Sequence, residues 1–350
     1  MARARGAPAE RRAHLRAGLA IAWLGALVAT ATSSGLSGAT AAGAVPAAPR
    51  TTISHYERNA RLATLYRQGA AAGKADAQGI VILDFGRPAS RAGTDGTIDF
   101  DGSFLPLNAI AAAVRSYVLG YYRYAPADTL LYVAVGTNNS CGTGQPCGGT
   151  RCGCLDEPTS YLAWGEHLAA VVELDAAWTV QLRLRLGYTD DVRVVGGDDI
   201  EPAFDPGYRN TYDLLEGYAI VVGGTTPAMV DYGSADPHFW SEARLYEVAY
   251  GLAPDVPMPE IFLPSQAREW ANLVRYARDR LGRSVTIFGV LAGRVKGEPP
   301  ARAYADLLAA VSGITLQRRI EWLSTIGPMP TVTAARAPHG VGASPPLRAG

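Results

Sequence analysis

Charge is scarce in this chain, and so are histidine and cysteine. Charged residues make up 18% and the formal net charge is zero, so no basic surface is on offer to nucleic acid or an anionic membrane. Of the five histidines, His14 and His339 lie near the chain ends. His55, His167 and His238 remain, too few for a histidine-rich zinc hydrolase. After residue 41 no stretch is apolar for the roughly 18 residues a membrane span needs. The first apolar run, Gly79–Gly86, is not followed by G-x-G-x-x-G, and there is no Walker motif, which removes the common nucleotide loops. Ser234, Asp236 and His238 share one loop, but Ser234 lacks the G-x-S-x-G elbow of a serine hydrolase. No internal repeat is visible.

What is present begins with an export signal. Arg3, Arg5, Arg11, Arg12 and Arg16 form a positive n-region, and Ala17–Ala31 is an apolar run holding Leu19, Ile21, Trp23, Leu24, Leu27 and Val28. Ala29-Thr-Ala31 and Ala39-Thr-Ala41 both offer the small-residue pattern of a signal-peptidase site. Residues 1–41 therefore read as a cleaved signal peptide, with Arg11-Arg12 leaving a twin-arginine route open. Cleavage after Ala41 leaves 27 basic against 31 acidic residues, about −4. The expected location is secreted or cell-surface, with no membrane contact after cleavage.

All four cysteines fall in one glycine-rich stretch: Cys141, Cys147, Cys152 and Cys154. Their C-x5-C-x4-C-x-C spacing is not a paired C-x2-C zinc pattern. In an exported chain two disulfides stapling this loop is the better reading, with all three pairings open.

Residues 42–52 read as a flexible linker and 328–350 as a disordered tail, both rich in Pro, Ala and Gly. Between them, 53–327 is the size of one large domain. Its apolar runs are 79–86, 129–136, 192–197, 219–223, 229–233, 259–263 and 284–291. Most are continuously apolar, as in parallel strands covered on both faces. Helical patterns over 106–122, 160–186, 208–216, 239–250, 265–281 and 302–311 lie between several of them. Alternation of strand and helix predicts an α/β fold with a parallel sheet, here a (β/α)8 TIM-type barrel, with an open doubly wound sheet as the other arrangement.

Acids and amides close most of the runs: Asp84, Asn138, the cluster Asp198-Asp199-Ile-Glu201, Asp231 and Glu260. In a barrel the C-terminal strand ends form one face, the face that carries active sites. Single acids there are usually helix caps, but five strands contributing to one mouth exceed what capping needs. Asp199 and Glu201, two residues apart on an extended segment, point to the same side. Two such carboxyls close together push one pKa upward and yield the acid and carboxylate that glycoside cleavage uses. Asp198, Asp199, Glu201 and Asp231 also offer the oxygen ligands of a hard divalent cation, but no metal and no cofactor is expected. Phe204, Tyr208, Tyr232 and Trp240, with Phe85 and Phe239, are the candidate aromatic platforms near the mouth. Trp164, Trp178, Trp270 and Trp322 sit in or beside helical patterns and read as core.

The pair Asp199-x-Glu201, with Asp84 ending the first run, resembles the D-x-E pattern of lysozyme-type muramidases. The layout over about 80–290 is similar to glycoside-hydrolase-like barrel domains of exported bacterial proteins. The resemblance implies Glu201 as general acid and Asp199, Asp84 and Asp231 as supporting carboxylates. Asn138, Asp198 and Glu260 join the aromatics as expected substrate contacts. The expected partner is a cell-wall or extracellular glycan, cleaved by carboxylate acid/base chemistry or, alternatively, bound without cleavage.

Overall fold

A computed structural model describes residues 46–140, 156–189, 191–293 and 297–328. The expected signal sequence, the four cysteines and the chain beyond 328 lie outside the described residues. Among the described residues no helix is long and apolar enough to cross a membrane.

The chain opens with β1 (Thr51–Tyr56), α1 (Leu62–Lys74) and β2 (Gly79–Asp84). A three-stranded antiparallel excursion follows, β3 (Arg87–Arg91), β4 (Thr94–Ile98) and β5 (Phe104–Pro106). Then come α2 (Leu107–Tyr122), β6 (Leu130–Asn138), α3 (Tyr161–Leu186), β7 (Asp191–Asp199), α4 (Arg209–Val222) and β8 (Met229–Asp231). A short helix α5 (Glu242–Tyr246) runs into a π-helical turn, and β9 (Asp255–Pro257) and β10 (Glu260–Ile261) follow. The described chain closes with α6 (Pro264–Leu281), β11 (Gly289–Ala292), α7 (Pro300–Ser312) and β12 (Trp322–Ile326).

Nine strands form one all-parallel sheet in the order β10-β11-β12-β1-β2-β6-β7-β8-β9. The sheet curls, giving a barrel-like α/β fold. Its two end strands are neighbours in the chain, separated only by Met258 and Pro259. Backbone bonds run from this segment both ways: Met258 N–H to Asp231 O at 2.7 Å, Glu260 N–H to Gly233 O at 3.0 Å, and Leu291 N–H to Pro259 O at 2.8 Å.

Two apolar clusters explain why the runs lack alternation. The larger lies between the sheet's outer face and the helices and takes Val81, Leu83, Val133, Val194 and Met229 from the strands. The smaller fills the concave side with Ile80, Ile82, Ala134, Val195, Val230, Tyr232 and Met258. The central strands β2, β6 and β8 are therefore buried on both faces over most of their length.

The structure corrects several expected elements. The run Ala219–Gly223 is the last turn and cap of α4, not a strand. Leu214, Leu215, Tyr218 and Val222 share its buried side, and Gly223 ends it at φ +61°. A short apolar run does not distinguish a strand from a buried helix end, whereas the helical spacing of these four residues does. Trp322 opens β12 and is not in a helix; Trp164 and Trp270 are buried core. β1, the sequence Thr-Thr-Ile-Ser-His-Tyr, has too little apolar character to be read as a buried strand.

Candidate functional site

β6 and β7 pair over their whole length, from Leu130 opposite Asp191 to Asn138 opposite Asp199. Their long shared ladder carries the acids past the end of the inner hydrocarbon cluster. Alternation then decides which acids meet. Val195 faces inward, so Asp199, four residues on, does too. Ile80 and Ile82 place Asp84 on the same side, with Tyr56 of β1 opposite it in register.

Asp198 and Asp231 have the other parity. Val194 and Met229, four and two residues earlier, belong to the outer cluster. The two aspartates lie opposite each other in register, and both are buried on the helix side of the sheet. Asp198 accepts a 2.7 Å hydrogen bond from Thr137 Oγ1, and Asp231 accepts one from Gly233 N–H at 3.0 Å. Neither joins the mouth expected of it, because each occupies the outward half of its strand's period of two.

The residues brought together are Asp199, Glu201 and Glu260. One carboxyl oxygen from each lies within 4.8 Å of the others. Asp199 and Glu201 are half-buried, and Glu260 is buried. Glu201 and Glu260 share a hydrogen bond, and Ser234 Oγ donates to Glu201 Oε2 at 2.7 Å. Asn139, which follows β6, holds the Glu201 backbone from both sides. Its Oδ1 accepts from Glu201 N–H at 3.0 Å, and its Nδ2 donates to Glu201 O at 3.2 Å. Gly233 permits the approach that brings Ser234 in: a Cβ there would lie 2.1 Å from Ile200 O.

Burial sets the protonation of this cluster. It pushes Glu260 up to about 8, with the nearby Glu201 charge adding to the effect. Burial also raises Asp199 well above the usual carboxyl range, with repulsion from Glu260 and Glu201 behind it. Glu201 is raised by burial too, against the hydrogen bonds from Ser234 and Glu260 that favour its charged form. Asp84 rises to about 7 for lack of solvent, although Gly86 N–H donates to its Oδ1 at 2.8 Å. Carboxyls that cannot all ionise share protons.

Tyr56 and Asn139 carry no signal in the sequence that would place them at this site. Burial raises the Tyr56 phenol pKa, and the charges of Asp199, Glu260, Asp84 and Glu201 add to the effect. The Tyr56 ring stacks on Phe100 at 4.9 Å. Ser234, in the loop with Asp236 and His238, serves here as a hydrogen-bond donor to Glu201 rather than as a nucleophile. The aromatics expected as platforms divide. Tyr232 and Trp240 are fully buried, the first donating to Thr137 O at 2.6 Å and the second to Asp205 O at 2.8 Å. Neither has a face open to a ligand. Tyr208 is half-buried and bonds Glu247 at 2.5 Å, and Phe204 is exposed. Asn138 borders a cleft of about 460 Å³ whose other walls include Arg87, Asp99 and Phe100. Roomier clefts of about 530 and 640 Å³ lie elsewhere and contain none of the clustered acids.

No protein-family model matches the chain, and no curated protein matches it in sequence.

Proposed function

We propose that the protein is an exported glycoside hydrolase, built on a closed (β/α)8 barrel and acting on a cell-wall or extracellular glycan. The observation that carries this is the trio Asp199, Glu201 and Glu260, with oxygens within 4.8 Å of one another at strand ends. Closure is supported by the hydrogen bonds that run from Met258–Glu260 towards both β8 and β11. With β9 and β10 taken as one strand, eight strands enclose the inner cluster, and the trio sits at the C-terminal rim.

Glu201 is the proton donor. It is the more open member of its pair, and Glu260, at about 8, keeps a proton within one hydrogen bond of it at neutral pH. As Glu201 protonates the glycosidic oxygen, the C–O bond to the anomeric carbon breaks and the alcohol leaves. The negative charge left on the trio, shared with Asp199, faces the positive charge developing on the sugar. Water adds its hydroxide to the anomeric carbon, and its remaining proton restores the acid pair. Export and a disulfide-stapled Cys141–Cys154 loop belong to the same reading and rest on the sequence alone.

The test is release of reducing ends from purified peptidoglycan and soluble glycans by the wild type and by Glu201→Gln. Loss in the variant, with an unchanged melting temperature, supports the reading. Equal release by both proteins removes Glu201 from the chemistry.

A further inference from the structure

We infer that the sugar held at these acids carries a protonated amine, so that the substrate is an N-deacetylated, glucosamine-type glycan. The inference rests on the hydrolase reading above and adds the substrate's charge to it.

Cleaving a neutral sugar takes two carboxyls. This mouth holds four, Asp84, Asp199, Glu201 and Glu260, and Asp236 and Glu269 add their fields to Glu201. Basic side chains are present on the rim but are committed there. His238 pairs with Asp236 at 2.5 Å, and His238 and Arg268 both act on Glu269. Among the described residues no ion pair ties any of the four inner acids to a guanidinium, ammonium or imidazolium.

Two oxygens in the mouth also lack a donor. Asp84 is wholly buried and faces inward; Gly86 N–H donates to its Oδ1 and the side chains of Tyr232 and Asn138 favour its charged form, but no hydrogen bond reaches its Oδ2 among the described residues, and none reaches Asp199 Oδ1. A buried acceptor left without a donor costs about 1–3 kcal/mol. An ammonium group brings three donors and the missing positive charge. An N-acetyl group brings one donor, a methyl group and a carbonyl oxygen that the carboxylates repel. The Tyr56–Phe100 stack beside Asp84 offers an aromatic wall for the ring bearing the amine.

The experiment compares a glucosamine hexamer with an N-acetylglucosamine hexamer, in cleavage by the wild type and in calorimetric binding to Glu201→Gln. Cleavage and binding are expected to favour the glucosamine hexamer by about tenfold or more, which is roughly 1.4 kcal/mol. Binding should weaken with salt and release protons from the cluster, read as a dependence of the heat on buffer ionisation enthalpy. The double variant Asp236→Asn/Glu269→Gln, which leaves the inner acids in place, should lose part of the preference. Equal or better cleavage of the acetylated hexamer overturns the inference and leaves the hydrolase reading intact. Salt-sensitive binding of the glucosamine hexamer with no cleavage of either supports the recognition and sinks the hydrolase. Saturable calcium or magnesium binding with no affinity for the glucosamine hexamer overturns the inference in favour of a cation site.

Discussion

Ser234 Oγ reaches Glu201 Oε2 at 2.7 Å, joining the loop after β8 to the acid that follows β7. This bond favours the charged form of Glu201 and opposes the effect of burial. Removing it in Ser234→Ala should raise the Glu201 pKa further. The limb of the kcat/KM profile that reports Glu201 should shift to higher pH, with a rate loss of about tenfold or less. A profile that does not move would mean that Ser234 is not tuning the acid.

Gly233 sets that bond from beneath. A Cβ there would sit 2.1 Å from Ile200 O, whereas one at Gly187 would meet nothing within 4 Å. Gly233→Ala should therefore cost on the order of 1–3 kcal/mol in chemical denaturation and reduce activity with it. The left-handed φ of +67° at Gly187 makes Gly187→Ala a strained but clash-free control. Its activity at a temperature well below melting should stay near wild type.

Much of this was open to reading in the sequence, and the failures have physical causes. β6 and β7 were visible as the apolar runs 129–136 and 192–197, but their pairing was not. The D-x-E pair was visible, since two residues on an extended segment always share a side. Parity between separate strands was not visible. Nothing in Met229-Val-Asp-Tyr tells which of Asp231 and Tyr232 faces inward until the neighbouring strand fixes the register. Tyr56 was missed because β1 is polar: Thr52 and Ser54 are buried through side-chain hydrogen bonds, Ser54 Oγ lying 2.7 Å from Ser324 Oγ. Burial achieved in that way leaves no apolar signature.

Stability should fall as the medium turns from acid to neutral. Asp84 and Asp198 are wholly buried, and loss of solvent raises both to about 7. The folded state therefore binds protons that the unfolded chain releases near pH 4. Between about pH 4 and 7 the folded form holds more protons, so each unit of pH lowers the unfolding free energy. Each site contributes up to about 4 kcal/mol over that window at roughly 1.4 kcal/mol per unit. Melting temperatures from pH 4 to 7 should decline, and Asp198→Asn, which lies outside the mouth, should flatten the decline. A melting temperature that climbs across this window would contradict the burial argument.

Glu260→Gln should separate stability from function. Glu260 is buried and its pKa stands at about 8, raised by burial and by Glu201. The amide keeps the shape and removes a charge that forms only at a cost, so the variant should be more stable than wild type above about pH 8. It should also lose the proton reserve behind Glu201, lowering kcat more than KM. Denaturant melts at high pH together with steady-state kinetics read both effects.

The central claim is that Glu201 and its two neighbours hydrolyse a glycan, and product release tests it most directly. Wild type and Glu201→Gln, both shown to be folded, are incubated with peptidoglycan and with glucosamine and N-acetylglucosamine oligomers, and new reducing ends are counted. The account predicts release by the wild type and a loss of about 10²-fold or more in the variant. Equal release by the two proteins, or none by the wild type on any of these glycans, would contradict it.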